Sequence, residues 1–342
     1  MSTILKIDII GFVEIKSKIS NLENHRVFLE TKKLAGIFLE KSGFTEIDSP
    51  LLSPKLIPES YLEVFETKNL FQKNNQEMYL IPSPELFLKR LVVDGIGNCF
   101  SLGKSFRNNE PIEKKHSHEF TMLEFYRVNG DYFDIIDDVM NLLRFMAKKM
   151  FNKSQLEYQN RKINLKSYEK ITVAQAFKKY AEIDDIFDHE KFFKQAKSKG
   201  YRVENMDYTD VWSQIYGIEI EPNLGKNGKI TFIYDYPSEL AAITKINELG
   251  IAERFEFYIE GIELGNCGNE GVIVEEYKNR FYKDIENRKK MGLIDCKPDI
   301  EFISVLEKLP KCAGIAIGMD RLAMIFANVT SISDLQLISI EA

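Results

Sequence analysis

The sequence predicts an α+β fold: an antiparallel β-sheet flanked by helices. Three observations predict it. Alternating or apolar strand-like runs crowd the C-terminal third, at "KITFIYDYP", "ERFEFYIEGIELGNC" and "CAGIAIGMDRLAMIFANV". Such runs far outnumber the strand–helix–strand units that a parallel sheet requires. Helical 3.6-residue periodicity is confined to a few segments around them.

In chain order, residues 3–18 read as strand, and "ETKKLAGIFLEKSGF" as an amphipathic helix with Leu34, Ile37 and Phe38 on its apolar stripe and Gly43 as its stop. "TEIDSPLLSP" runs extended, because Pro50 and Pro54 disfavour helix in the residues before them. The strand "EMYLIPS" leads to a helix from about Pro84 to Val93, with Ser83 placed as its cap. The turn "DGIGN" enters the strand "CFSLGKSF", and the charged loop after Arg107 returns through "FTMLEFY". "DYFDIIDDVMNLLRFMAKKMF" has a strong helical apolar face, and "VEEYKNRFYKDIENRKKMG" is a long charged helix. The stretch 155–225 mixes short strands and helices as a variable insertion.

With 342 residues, 44% apolar and 29% charged, the chain has the composition of an ordered globular protein. Its net charge of −6 gives no long-range attraction to a polyanion, which disfavours wholesale nucleic-acid binding. Cys99, Cys267, Cys296 and Cys312 form no CxxC pair, so they read as reduced, buried small hydrophobes. No run approaches the ~20 apolar residues that span a bilayer. The expected location is the cytoplasm.

Chemistry concentrates in three places. In "KSFRNNEPIEKKHSHEFTMLEFY", Arg107 precedes a charged loop and a strand, an arrangement suited to gripping phosphate or carboxylate in two-pronged fashion. In "RFEFYIEGIELGNCGNE", Glu256, Glu263 and Glu270 recur every seven residues. Odd spacing puts successive members on opposite faces of one strand, so a turn near Gly261 or a bulge near "GNCGN" must intervene if they converge. A solvated edge strand is the other reading. In "GIAIGMDRLAMIF", Gly314, Ala316 and Gly318 leave one strand face nearly bare for a flat ligand, and Arg321 follows at a helix start with Asp320 as its cap. Arg321 either grips a nucleotide or pairs with an acid on a neighbouring strand. Two arginines with a set of carboxylates suggest a nucleoside triphosphate with a divalent metal, and neither a Walker lysine loop nor a GxGxxG is present to bind it.

These residues resemble the class II aminoacyl-tRNA synthetases, whose three signature motifs occur in order: "GFTEIDSPLLSP" with Pro50, "SFRNNE…HSHEFTMLEFY", and "GIAIGMDRLAMIF". "TMLEFY" and "GIELGNCGNE" are similar to the lysyl type. Fewer than about thirty residues precede the first motif's helix, too few for an anticodon-binding barrel. The chain over roughly 28–340 therefore resembles the elongation factor P lysyltransferase family, with 1–27 an N-terminal extension and 28–342 the catalytic domain. "PSPELFLKRLVV", "AERFEFYIEGIEL", "EPNLGK" and Ala316 carry that resemblance.

The resemblance implies ATP and Mg2+ as cofactors, lysine or β-lysine as substrate, elongation factor P as acceptor rather than tRNA, and a homodimer through the first motif. It places Arg107 on the α-phosphate, Arg321 on the γ-phosphate, and adenine between Arg321 and Phe120, with Gly318 letting the nucleotide lie against the strand. Glu256 and Glu263 would hold magnesium, and His116 would touch the terminal phosphates. Ser83 and Glu85 would face the amino-acid head, Asn266 its carboxylate, and Tyr126 and Glu270 the distal ammonium. Ala316, where lysyl-tRNA synthetases have glycine, goes with β-lysine. The motif departs from the family in "FRNNE" and "HSHEF": either Asn109 takes the place of an acid or the loop bulges to bring Glu110 back, and Ser117 and His118 stand where Asn and Pro are usual. A lysine-activating enzyme with another acceptor, tRNA or a small molecule, and a non-catalytic synthetase-like regulator are the alternative readings.

Overall fold

In the computed structural model, which describes residues 14–70, 76–271 and 274–341, β1 (Glu14–Ser17) is followed by α1 (Leu22–Lys41) and the short strands β2 (Thr45–Glu46) and β3 (Leu52–Ser53). Residues 3–13 of the expected first strand lie outside the described residues. The helix expected over the first motif starts earlier than its apolar stripe, and it buries Leu34, Ala35 and Leu39 against the core. A three-stranded sheet forms from β3, β4 (Glu66–Asn69) and β5 (Gln76–Leu80), ahead of α2 (Glu85–Val93). Pro84, rather than Ser83, occupies the cap position of α2; the Ser83 hydroxyl still accepts the Glu85 N–H at 3.3 Å.

β6 (Cys99–Phe106) and β7 (Glu119–Val128) form the hairpin around the charged loop, and α3 (Tyr132–Phe151) follows. Asp131 fixes the start of α3 by accepting the N–H groups of Phe133 and Asp134. The middle of the chain comprises β8 (Gln155–Tyr158), β9 (Arg161–Asn164), β10 (Glu169–Thr172), α4 (Val173–Ala176), α5 (His189–Ser198) and α6 (Tyr208–Ile215). Two five-residue π-helical turns, Phe177–Ala181 and Tyr216–Ile220, extend α4 and α6. The rest is β11 (Ile230–Pro237), β12 (Ile251–Ile259), β13 (Ile262–Asn269), α7 (Val274–Lys290), α8 (Ile300–Leu306), β14 (Cys312–Gly318), α9 (Met319–Phe326) and β15 (Ile338–Glu341).

The main sheet has eight strands in the order β10-β11-β12-β13-β14-β7-β6-β2. Its six central strands are antiparallel, as the sequence predicts, and one parallel neighbour is added at each edge: β10 beside β11 and β2 beside β6. One face buries Phe257, Leu264, Ile315, Leu123 and Phe125 under α1, α3 and α9. That burial closes one side of the sheet, so polar residues on the other side define an open floor. The segment 171–224 packs its own apolar residues, among them Phe177, Phe192, Val211 and Trp212, on the outer strands through Ile233, Tyr236 and Tyr258. No helix among the described residues is long and apolar enough to cross a membrane.

Candidate active site

Strand register builds the site. Residues directly opposite in an antiparallel pair share a face. Glu256 pairs with Asn266, Asn266 with Ala316, and Ala316 with Glu124; beside them Gly268 pairs with Gly314, Gly314 with Tyr126, and Gly318 with Met122. One face of four adjacent strands therefore carries Glu256, Asn266, Ala316, Glu124 and Tyr126, with Glu270 at the end of β13.

Two devices bring the three glutamates to this face. The β12–β13 hairpin turns through Glu260 and Gly261, both with positive φ (51° and 74°), the two-residue geometry for which glycine is favoured. That turn pairs Tyr258 with Glu263 and so sets Glu263 on the side of Glu256. The register then shifts, with Leu264 as the extra residue between Glu263 and Gly265, and this bulge keeps Asn266 and Glu270 on the same side. The seven-residue spacing requires a turn or a bulge, and the structure has one of each.

A cavity of about 320 Å³ opens over this face. At one end lie Ser83, Glu85, Glu124, Tyr126 and Glu270; at the other lie Arg107, Glu110, Lys115, His116, Glu263 and Arg321. Phe120, Asn266, Ala316 and Gly318 line the floor between them. Two of the expected site residues do not line it. Asn109 spends its amide on backbone, accepting from Glu63 N–H at 2.9 Å and donating to the Tyr61 carbonyl at 2.7 Å. Glu110 is the acid that the longer loop returns, 3.5 Å from Arg107 and 3.9 Å from His116, which corrects the placing of Asn109 among the nucleotide contacts. Glu256 does not line the cavity; its carboxylate is held by Arg254 at 2.6 Å, Tyr258 at 2.7 Å and Tyr216 at 3.2 Å.

The anionic end contains a residue that the sequence reading missed. Lys89, fully buried on α2, ion-pairs with Glu85 at 2.5 Å and Glu270 at 2.7 Å. Burial alone would lower its ammonium, but Glu270 and Glu85 hold it well above the ordinary range. Its helical spacing of four from Glu85 was the available signal. Glu124 was also missed: it is buried, accepts the Tyr126 hydroxyl at 2.8 Å, and is pushed up to about 8 by burial and the nearby Glu85. Burial raises Glu270 to about 7, against the pull of Lys89. Two carboxylates thus share one internal ammonium, and a third, Glu124, lies close to them.

At the cationic end, Arg321 donates to the Lys115 carbonyl at 3.0 Å and the Glu263 carbonyl at 3.1 Å, and lies 3.4 Å from the Glu263 carboxylate. Both readings of this arginine, an anion grip and an acid partner, are therefore compatible with one position at the cavity rim. The Arg107 guanidinium lies 5.3 Å from the Phe120 ring centre, so Arg107 rather than Arg321 covers that ring here. Arg107 Nε and His116 Nδ1 are buried without hydrogen-bond partners, as befits groups awaiting an anionic guest. Burial and the neighbouring Arg321 lower His116.

Two local expectations change. Asp320 does not cap α9, whose cap position is Gly318; its buried carboxylate instead accepts Thr121 N–H at 2.6 Å and ties the helix to β7. The face at Gly314 is not bare either, because a Cβ there would come 2.4 Å from the Tyr126 ring. Gly314 makes room for that tyrosine, and the open floor begins at Ala316.

The residues fit a nucleotide-bound magnesium ion. Burial and the charge of Glu256 raise Glu263, so two carboxylates crowd together beside the cationic rim and a divalent ion would relieve their repulsion. No group of three or more His, Cys, Asp or Glu gathers as a metal cage among the described residues, which suits an ion that takes one or two carboxylates and completes its shell with phosphates and water.

A family model described as tRNA synthetases class II (D, K and N) matches residues 14–339. An enzyme of Avibacterium paragallinarum named elongation factor P–(R)-β-lysine ligase is 33% identical over 313 residues, 89% of this chain and 91% of that protein. The protein of the same name from Buchnera aphidicola subsp. Baizongia pistaciae is 33% identical over 306 residues, covering 87% and 89% of the two chains. A lysine–tRNA ligase of Wigglesworthia glossinidia brevipalpis is 36% identical over 306 residues, which span 87% of this chain and 60% of that enzyme.

Lys89→Met should destabilise the fold by about 3–5 kcal/mol, because it strands Glu85 and Glu270 without their buried counterion. Urea unfolding near neutral pH measures this, and a change below about 1 kcal/mol would show that the ammonium is not structural.

Proposed function

Because the chain belongs to the class II tRNA synthetase family of the D, K and N types, we propose that it activates lysine or β-lysine with ATP as an aminoacyl adenylate and passes the aminoacyl group to a lysine side chain of elongation factor P. One observation carries the substrate class: a single cavity has arginines at one end and a carboxyl cluster at the other. The first end suits a triphosphate and the second a doubly cationic amino acid. Similarity over about nine-tenths of both lengths to enzymes named for elongation factor P supports the acceptor.

In this reading Arg107 holds the α-phosphate and Arg321 the γ-phosphate, with His116 near the terminal phosphates and Glu110 orienting Arg107. The nucleotide lies on the floor at Gly318, with its base against Phe120. Glu263 and Glu256 would hold Mg2+, which when bound neutralises charge on the phosphate oxygens. Ser83 and Glu85 face the amino-acid head, Asn266 its carboxylate, and Glu270 with Tyr126 and Glu124 the distal ammonium. The substrate carboxylate oxygen attacks the α-phosphorus, the bond from that phosphorus to the α,β-bridging oxygen breaks, and pyrophosphate leaves with the bonding pair. Positioning and charge neutralisation drive this step, and no general base is required. The neutral amine of the acceptor lysine then attacks the adenylate carbonyl; AMP leaves with the bonding pair, the amine loses a proton, and an amide forms. Ala316 adds one methyl opposite Glu124 and reshapes the floor where the amino-acid backbone would lie, a difference of a size typically worth ~1–3 kcal/mol in discrimination.

The 36% identity to a lysine–tRNA ligase favours tRNA as the second acceptor to test. Radiolabelled lysine or β-lysine with ATP, plus elongation factor P or tRNA, separates the two by the macromolecule that takes up label. Pyrophosphate exchange without transfer to either would sink both. Arg107→Ala and Arg321→Ala should abolish exchange, whereas Glu270→Ala should mainly raise KM for the amino acid.

The pocket acids set a pH dependence. A dicationic substrate favours their ionised forms, and burial raises Glu270 to about 7 and Glu124 to about 8. Affinity should therefore rise as pH increases from 6 to about 8.5, with protons released on binding near pH 7. Calorimetry in buffers of different ionisation enthalpy reads that release, and proton uptake or pH-independent affinity would contradict it.

We also propose that the protein works as a homodimer through α1 and the extended segment ending at Pro50. β2 lies at an edge of the main sheet, and Leu51 and Leu52 beside it are 41% and 45% exposed. Sedimentation should give about twice the 39.7 kDa chain mass, and a purely monomeric species would refute the dimer.

A further inference from the structure

The segment 155–225 reaches the Glu256 carboxylate through Tyr216. Tyr216 opens the π-helical turn Tyr216–Ile220, and its hydroxyl lies 3.2 Å from Glu256 Oε2 and 3.1 Å from the hydroxyls of both Tyr236 and Tyr258. All three tyrosines are buried. Counting protons orders the network. Each tyrosine has one proton to donate. Tyr258 gives its own to Glu256 at 2.7 Å. The Tyr236 hydroxyl, whose recorded hydrogen-bond partner is Tyr216, can give its proton to the Tyr216 oxygen. Tyr216 is thereby left to donate toward Glu256. With Arg254 on the other oxygen at 2.6 Å, three of the roughly four lone-pair sites of this carboxylate are filled by the protein.

We infer that Tyr216 is a positioning residue for Glu256: a hydroxyl supplied by the insertion that holds this carboxylate in the orientation needed beside Glu263 and the triphosphate. This rests on the functional reading above. π-Helical turns are rare and concentrate at functional sites. This one is braced from behind, since Trp212 stacks on Tyr216 with ring centres 4.4 Å apart and planes 16° apart, and Phe177 of the other π-helical turn packs on Trp212 at 5.4 Å. The stack has a second consequence. Trp212 is the only tryptophan in the sequence, so its fluorescence reports on the ring whose hydroxyl touches Glu256.

The test uses the full-length protein and Tyr216→Phe, which removes the hydroxyl and keeps the stacked ring. Pyrophosphate exchange is measured against Mg2+ concentration at saturating ATP. The variant should require roughly three- to tenfold more Mg2+ for half-maximal rate, the size expected for losing one ordinary hydrogen bond, with kcat at saturating Mg2+ little changed. Independently of turnover, Trp212 emission is followed while α,β-methylene-ATP is bound and Mg2+ is titrated. The wild type should show a Mg2+-dependent change, and the variant should lose it or shift it to higher Mg2+ by a similar factor. Tyr236→Phe, which withdraws the donor to Tyr216, should move both readouts in the same direction by less, and serves if Tyr216→Phe does not fold. Unaltered Mg2+ dependence and an unaltered fluorescence titration in these variants would overturn the inference. A wild type that lacks lysine- or β-lysine-dependent exchange would instead sink the functional reading, leaving the fluorescence comparison to judge Tyr216 by itself.

Discussion

The register of β12, β13, β14 and β7 is the constraint on which everything else depends. A shift of one residue in a strand sends every side chain to the other face. The hairpin at Glu260–Gly261 and the extra residue at Leu264 are therefore what keep Glu256, Glu263, Asn266 and Glu270 over one floor. The opposite face leaves little freedom to slip, because Phe257, Leu264, Ile315 and Phe125 are locked under α1, α3 and α9. Hydrophobic packing on one side thus fixes the electrostatics on the other.

Those electrostatics are segregated by distance along the strands. The guanidinium groups of Arg107 and Arg321 sit where strands meet the motif 2 loop and α9, while the acids Glu85, Glu124 and Glu270 gather where β7 and β13 meet α2. The intervening floor is short-chained at Ala316 and Gly318, so neither end screens the other with bulk. In the proposed reading, a triphosphate at one end and a cationic amino acid at the other would be aligned before any chemistry begins, which is the larger part of what adenylate formation requires.

Much of this could be read from the sequence, and the reasons are local. β6, β7, α3 and the α7 helix follow from periodicity over eight residues or more, and the spacing of the three glutamates demanded a turn or a bulge, of which the structure has one each. The failures involve tertiary partners. Asp320 looks like a cap until the Thr121 N–H is seen beside it, and Gly314 looks like open floor until the Tyr126 ring fills it. Lys89 reads as an ordinary helix lysine because nothing nearby in sequence announces Glu270, 181 positions away, as its second partner. Tyr216 lay in the stretch least informative by pattern, since its partners are on strands that the chain reaches only later.

The internal ammonium of Lys89 also governs what the pocket refuses. Because the protein already supplies one cation to hold Glu85 and Glu270 in place, the cleft stands open in its working shape and a guest need not drag the acids together. Uncharged mimics of the same length, such as norleucine, would strip water from carboxylates and give nothing back. In the proposed reading, rejection of neutral side chains would follow from the pocket's own charges, without a separate proofreading compartment for that choice.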